Sequence, residues 1–282
     1  MSDTTSAETA SFQRVVCGVD PSFASTDAVV QAVALGDEGA EIWAVSVADP
    51  GLAMHAGIHA GDVMNDLRAE CDAALRAASQ AHPPARPVRI TGGEVAGLID
   101  AAANLRADLI SVGSHGGPRA EGILVGSVAI GLAHHAPCPV LVARPAGKDF
   151  PRRIVHATDG SPESLGAARI AGRLAGSHDA DVITVHVDGD GGEARAIAEE
   201  SVALIESSGR EPRHETRHGT AHREIVGAAE AADADLIVIG NRGRTGLKAL
   251  GSVSEHVVHR GPCSVLVARR AAYPIRQPET RA

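Results

Sequence analysis

Three kinds of residue recur in this chain at spacings that suit anion and nucleotide chemistry. The first is an aspartate directly after an apolar run: Asp20 in GVDPS and Asp159 in ATDGS. A carboxylate there can accept a ribose hydroxyl hydrogen or help hold a metal, and it can equally tie down the turn into the next helix. The second is a glycine loop. One example runs Gly113-Ser-His115-Gly116, nine further residues, then Gly126-Ser127. The other runs Gly240-Asn-Arg242-Gly243, seven residues, then Gly251-Ser252. Glycines let backbone N–H groups approach an anion. A Gly-Ser step that opens a helix adds free N–H groups, the positive end of the helix dipole and a hydroxyl donor. One GxxG also fits an ordinary turn, but the pattern occurs twice behind matching strands. The third feature is Ser46-Val47 and His186-Val187, at the ends of apolar runs. Backbone groups there can meet an adenine edge while Val47 or Val187 packs the ring; plain strand ends would look the same.

The duplication runs through the chain. DLISVGSHGG…APCPVLVAR from Asp108 to Arg144 matches DLIVIGNRGR…GPCSVLVAR from Asp235 to Arg269, and the second is two residues shorter before Gly251. RVVCGVDPSFAS from Arg14 matches RIVHATDGSPES from Arg153. The first copy carries about a dozen extra residues around Asp49–Asp62, a Gly/His-rich stretch that reads as a loop. The expected division is a mobile tail over 1–13, a domain over 14–146, a linker over 147–152, a domain over 153–271 and a mobile tail over 272–282.

Short apolar runs alternate with alanine-rich helical patterns. Strands are predicted near 14–19, 41–47, 87–91, 108–113 and 139–144, and again near 153–158, 181–187, 213–217, 235–240 and 264–269. Helices of the first copy are predicted near 25–36, 62–80, 94–106 and 126–135. The fold class is therefore α/β: two tandem doubly wound five-stranded parallel-sheet domains, Rossmann-like, with ligands expected beyond the carboxyl ends of the strands. VLVAR closes each copy as an edge strand, so strand 139–144 is expected to pair with strand 264–269 in an intramolecular pseudo-dimer. A further homodimer of such chains is expected too.

Composition removes several classes. Net charge is −9 and no Lys/Arg cluster is present, which argues against nucleic acid. No apolar run approaches the ~20 residues of a membrane span. The start lacks the features of a secretory signal, and the expected location is cytoplasmic. Cys17, Cys71, Cys138 and Cys263 form no CxxC pair and are expected to be buried thiols. His214, His218 and His222 are read as surface residues rather than metal ligands. No catalytic nucleophile–base pair stands out, so no efficient catalysis is expected, with slow ATP hydrolysis or autophosphorylation left open. With one Trp, one Tyr and three Phe, any adenine must be held by aliphatic side chains and backbone.

Both copies resemble the universal stress protein family. The resemblance rests on the strand plan, the aspartate after strand one, the G-2x-G-9x-G-(S/T) pattern met in full by Gly113, Gly116, Gly126 and Ser127, and the ending APCPVLVAR. It implies ATP, with or without Mg²⁺, in one or both copies. In copy one the implied contacts are Asp20, Val47, Val112, Gly113, His115, Gly116, Gly126, Ser127 and Val128. In copy two they are Asp159, Val187, Ile239, Gly240, Arg242, Gly243, Gly251, Ser252 and Val253. Copy one ranks ahead for loop length, although Glu121 would repel a triphosphate unless a cation intervenes. Arg242 and Arg244 could serve as phosphate partners in copy two. The implied role is a nucleotide-binding regulator read by a protein partner. The alternatives are a nucleotide-free interaction scaffold and an adenylyl-transferring ligase, the latter disfavoured because two copies fill the chain.

Overall fold

The computed structural model describes residues 12–54, 59–115, 125–188, 194–243 and 250–269. Copy one runs β1 (Arg14–Gly18), α1 (Phe23–Leu35), β2 (Glu41–Ala48), α2 (Pro50–Met54), α3 (Ala60–Ala81), β3 (Arg86–Thr91), α4 (Glu94–Leu105), β4 (Leu109–Gly113), α5 (Ser127–His135) and β5 (Val140–Ala143). Copy two runs β6 (Arg153–Thr158), α6 (Pro162–His178), β7 (Asp181–Asp188), α7 (Ala194–Glu206), β8 (Arg213–His218), α8 (Ala221–Ala231), β9 (Leu236–Gly240), α9 (Ser252–Arg260) and β10 (Ser264–Ala268). The stretch expected as a copy-one loop thus contains helix α2 and the start of α3. The tail expected over 1–13 ends sooner: Phe12 is buried and its carbonyl accepts the Asp37 amide.

All ten strands form one sheet in the order β3-β2-β1-β4-β5-β10-β9-β6-β7-β8. Every pairing is parallel except β5 with β10, where Val142 faces Val265 and Val140 faces Val267. The two apolar edges therefore cover each other at the centre. The outer edges are β3 and β8, RPVRIT and RHETRH, whose arginines and proline blunt further pairing. Alternation along the strands divides the core. Val15, Leu109, Ile154, Leu236 and Leu266 face one side; Val16, Ile110, Val155, Ile237 and Val267 face the other. Each core runs unbroken through both copies. Burying one such Val, Leu or Ile side chain is worth roughly 1.5–3 kcal/mol.

The aspartate of each DLI motif is structural. Asp108 accepts the amides of Gln13 and Arg14, and Asp235 accepts those of Arg152 and Arg153, so each carboxylate pins the start of its copy's first strand. Burial pushes the Asp108 carboxyl up to about 6. All four cysteines are buried, and burial drives the thiols of Cys17, Cys138 and Cys263 to about 12.

The VLVAR arginines cross the central seam in opposite directions. Arg144, only 6% exposed, donates to the carbonyls of Val258 (2.6 Å) and Cys263 (2.9 Å) at the end of α9. Arg269 donates to the carbonyls of Ala133 and Ala136 at the end of α5. Each guanidinium thus satisfies orphan carbonyls at the negative end of the other copy's last helix. On the opposite sheet face, Arg173 of α6 pairs with Asp37 at 2.7 Å and lies over the Phe12 ring at 4.6 Å.

Candidate functional site

In copy one the strand order reverses between β1 and β4, and a cavity of about 430 Å³ opens there beyond their carboxyl ends. Its apolar floor is Val45, Val47, Leu98 and Val112. Gly126 and Ser127, at the start of α5, form one wall with His115 and Val128. Asp20 and Gly113 complete the side made by β1 and β4. Of the copy-one residues expected at a ligand, only Gly116 is not placed, because it lies outside the described residues along with Glu121.

Local chemistry explains how these groups are held. Asp20 Oδ1 accepts the Ser22 amide at 3.0 Å and the hydroxyls of Ser22 and Ser25, while the Asp20 amide donates to Ser25 Oγ at 2.8 Å. Asp20 therefore fills the turn role and still lines the cavity. Gly113 is required by close approach: a Cβ there would sit 2.7 Å from Ala24 Cβ and 2.8 Å from Ala24 backbone atoms. The same holds in copy two, where a Cβ on Gly240 would meet the Glu163 backbone at 2.9 Å. These two glycines let the first helix of each copy seat against the strand that carries the loop. The Gly126 amide donates to Ser114 O at 2.7 Å, closing the base of the loop. Ser114 Oγ lies 2.9 Å from His115 Nδ1, but Ser114 is buried and does not line the cavity, so it orients the imidazole and offers no exposed nucleophile.

The family model for universal stress proteins matches residues 11–144 and 151–269. The chain belongs to the universal stress protein family. It is 30% identical over 226 residues to a universal stress protein of Mycobacterium tuberculosis, covering 70% of each chain. It is 35% identical over 145 residues to one of Methanocaldococcus jannaschii, covering 44% of this chain and 85% of that one. A solved universal stress protein from Archaeoglobus fulgidus shares the fold with a TM-score of 0.68 at 22% identity, over 92% of this chain and 98% of that one.

In this universal stress protein, the helices add cavity residues that loop motifs do not reveal. Asp49 follows β2, Glu94 opens α4, and Leu67, Glu70 and Cys71 come from one face of α3. The i, i+3, i+4 spacing of 67, 70 and 71 was the available signal, but nothing in one helix says which cavity it faces. Partial burial, then the nearby carboxylates of Asp49 and Asp20, push the Glu94 carboxyl above its ordinary value.

Copy two arranges the same positions differently. Ser161 caps α6 by accepting the Ser164 amide at 3.2 Å, and its hydroxyl reaches Arg242 O at 3.4 Å. Arg242 pairs with Glu163 of α6 at 3.2 Å. Asp159 Oδ2 lies 2.5 Å from where a Cβ on Gly243 would be, so the loop rests directly on this carboxylate. The Gly251 amide donates to Asn241 O at 2.7 Å. Ile239 and Gly240 are buried, Val187 and Val253 half-buried, and Ser252 exposed at the start of α9. Arg242, expected as a phosphate partner, is thus engaged with Glu163; Arg244 lies outside the described residues. Among the described residues no group of three or more His, Cys, Asp or Glu could hold a metal ion.

Proposed function

We propose that this universal stress protein is a regulatory adenine-nucleotide-binding domain pair whose copy-one cavity is the working site. The observation that carries this is the cavity of about 430 Å³ at the β1/β4 reversal, with an aliphatic floor for a base and the Gly126-Ser127 helix start for a phosphate. ATP, alone or with Mg²⁺, is the ligand the family resemblance suggests. Copy two, whose loop is fastened to α6 through Ser161 and Arg242, acts mainly as the structural partner. The role is binding and signalling to a protein partner in the cytoplasm, with no catalytic step; a homodimer of whole chains belongs to the same proposal.

The test is to purify the protein without added nucleotide, denature it, identify released small molecules by mass spectrometry, and titrate the stripped protein with adenine nucleotides by calorimetry. Released or titratable adenine nucleotide supports the proposal. No release and no binding heat with any adenine ligand overturns it and leaves an interaction scaffold.

A further inference from the structure

The copy-one cavity has an uneven charge lining. Four carboxylates reach it, from Asp20, Asp49, Glu70 and Glu94, and none of the described residues that line it is a lysine or arginine. They arrive from separate elements: the turn after β1, the turn after β2, the middle of α3 and the start of α4. Asp49 and Asp20 are close enough to Glu94 for their charges to help raise its carboxyl. Among the described residues these carboxylates do not converge as a metal-ligand group. Among the described residues, the donors that line the cavity are the helix start at Gly126 and Ser127 and the imidazole of His115. A helix start of this kind carries about half a positive charge. That suits one phosphate, whereas a bare triphosphate would bring several negative charges into a crevice already lined by four carboxylates.

We infer that the copy-one cavity selects adenine ligands of low phosphate charge, the nucleoside and its monophosphate, over the triphosphate. This inference rests on the adenine-nucleotide proposal above and names the ligand class of that same site. The apolar floor of Val45, Val47, Leu98 and Val112 holds the base whichever phosphate chain it carries, so discrimination comes from the carboxylates. Triphosphate enters effectively only when a divalent cation accompanies it and offsets the charge.

The experiment is calorimetric titration of the full chain with adenosine, AMP and ATP, each in EDTA and each in Mg²⁺, at low and high salt. Adenosine and AMP are expected to bind at least about tenfold more tightly than ATP in EDTA, with the gap narrowing in Mg²⁺ and in high salt. The Asp49→Asn/Glu94→Gln double variant should raise the ratio of ATP to adenosine affinity in EDTA by about tenfold. ATP binding in EDTA as tightly as AMP would overturn the charge selection while leaving the nucleotide proposal standing. Absence of binding by all three ligands would overturn the nucleotide proposal itself, and the inference with it.

Discussion

The two copies share a strand plan and a glycine loop, yet they solve the loop's attachment in opposite ways. In both copies the amide of the serine, Ser22 or Ser161, donates to the aspartate, but in copy one the Ser22 hydroxyl also turns back onto Asp20, α1 begins with Phe23, and a cavity remains between β1 and β4. In copy two the equivalent Ser161 caps α6 and touches the loop at Arg242, while Glu163, in the place of Ala24, holds the Arg242 side chain. Arg242 in the place of His115 and Glu163 in the place of Ala24 thus tie the second loop to its helix.

The cores differ in the same spirit. Copy one places Cys17, Ala44 and Val19 where copy two places His156, Thr184 and Thr158. His156 is fully buried, with Nδ1 3.3 Å from Val238 O and no partner at Nε2. Thr158 Oγ1 meets Ser201 Oγ at 2.8 Å. At these three positions copy two therefore carries polar groups that burial penalises, where copy one carries apolar side chains or a thiol.

These contrasts can be broken in order of expected effect. Burial lowers the His156 pKa from 6.5 to about 4. The unfolded chain therefore binds more protons between those values, and stability is lost as pH falls from 6.5 toward 4. His156→Cys, which installs the copy-one residue, should gain on the parent by roughly 3 kcal/mol over that interval in urea melts. A pH-independent difference would show that His156 is not held neutral. At the seam, Arg144→Ala should cost about 3 kcal/mol, because it strips the buried carbonyls of Val258 and Cys263 of their donor. Arg269→Ala should cost less, since Arg269 is only half-buried; the reverse order in thermal melts would contradict the asymmetry of the clasp. On the other sheet face, Asp37→Ala should cost about 2 kcal/mol by leaving the largely buried Arg173 without its carboxylate. The outer edges should matter least. Arg86→Ala removes an exposed contact to Glu41 at 2.8 Å and a position 4.9 Å over the Trp43 ring, for about 0.5 kcal/mol. Arg213→Ala on the copy-two edge, where Arg213 only brushes Glu215 at 3.4 Å, should be near neutral.

Much of this was legible in the chain itself. Continuous apolar runs such as LISVG and LIVIG reveal buried parallel strands, and matched VLVAR endings reveal edges that need each other. The first glycine loop and Asp20 point to the crevice that opens between β1 and β4, because crevices in this sheet type follow from strand ends. What stayed hidden depends on three-dimensional neighbours. Glu70 and Glu94 lie on helices whose rotation over the sheet no local pattern fixes. The seam role of Arg144 and Arg269 needs the antiparallel register of β5 and β10 before their reach to α9 and α5 can be seen. Phe12 looked like tail because one aromatic residue next to a polar stretch carries no period.

The central claim is that one copy binds and the other supports it. It is tested most directly by the stoichiometry of AMP binding to the parent chain, to Gly126→Val and to Gly251→Val. The account predicts one site per chain, weakened about 10- to 100-fold by Gly126→Val through loss of phosphate contacts at the α5 start, and unchanged by Gly251→Val. Two sites per chain, or a loss caused by Gly251→Val alone, would contradict it.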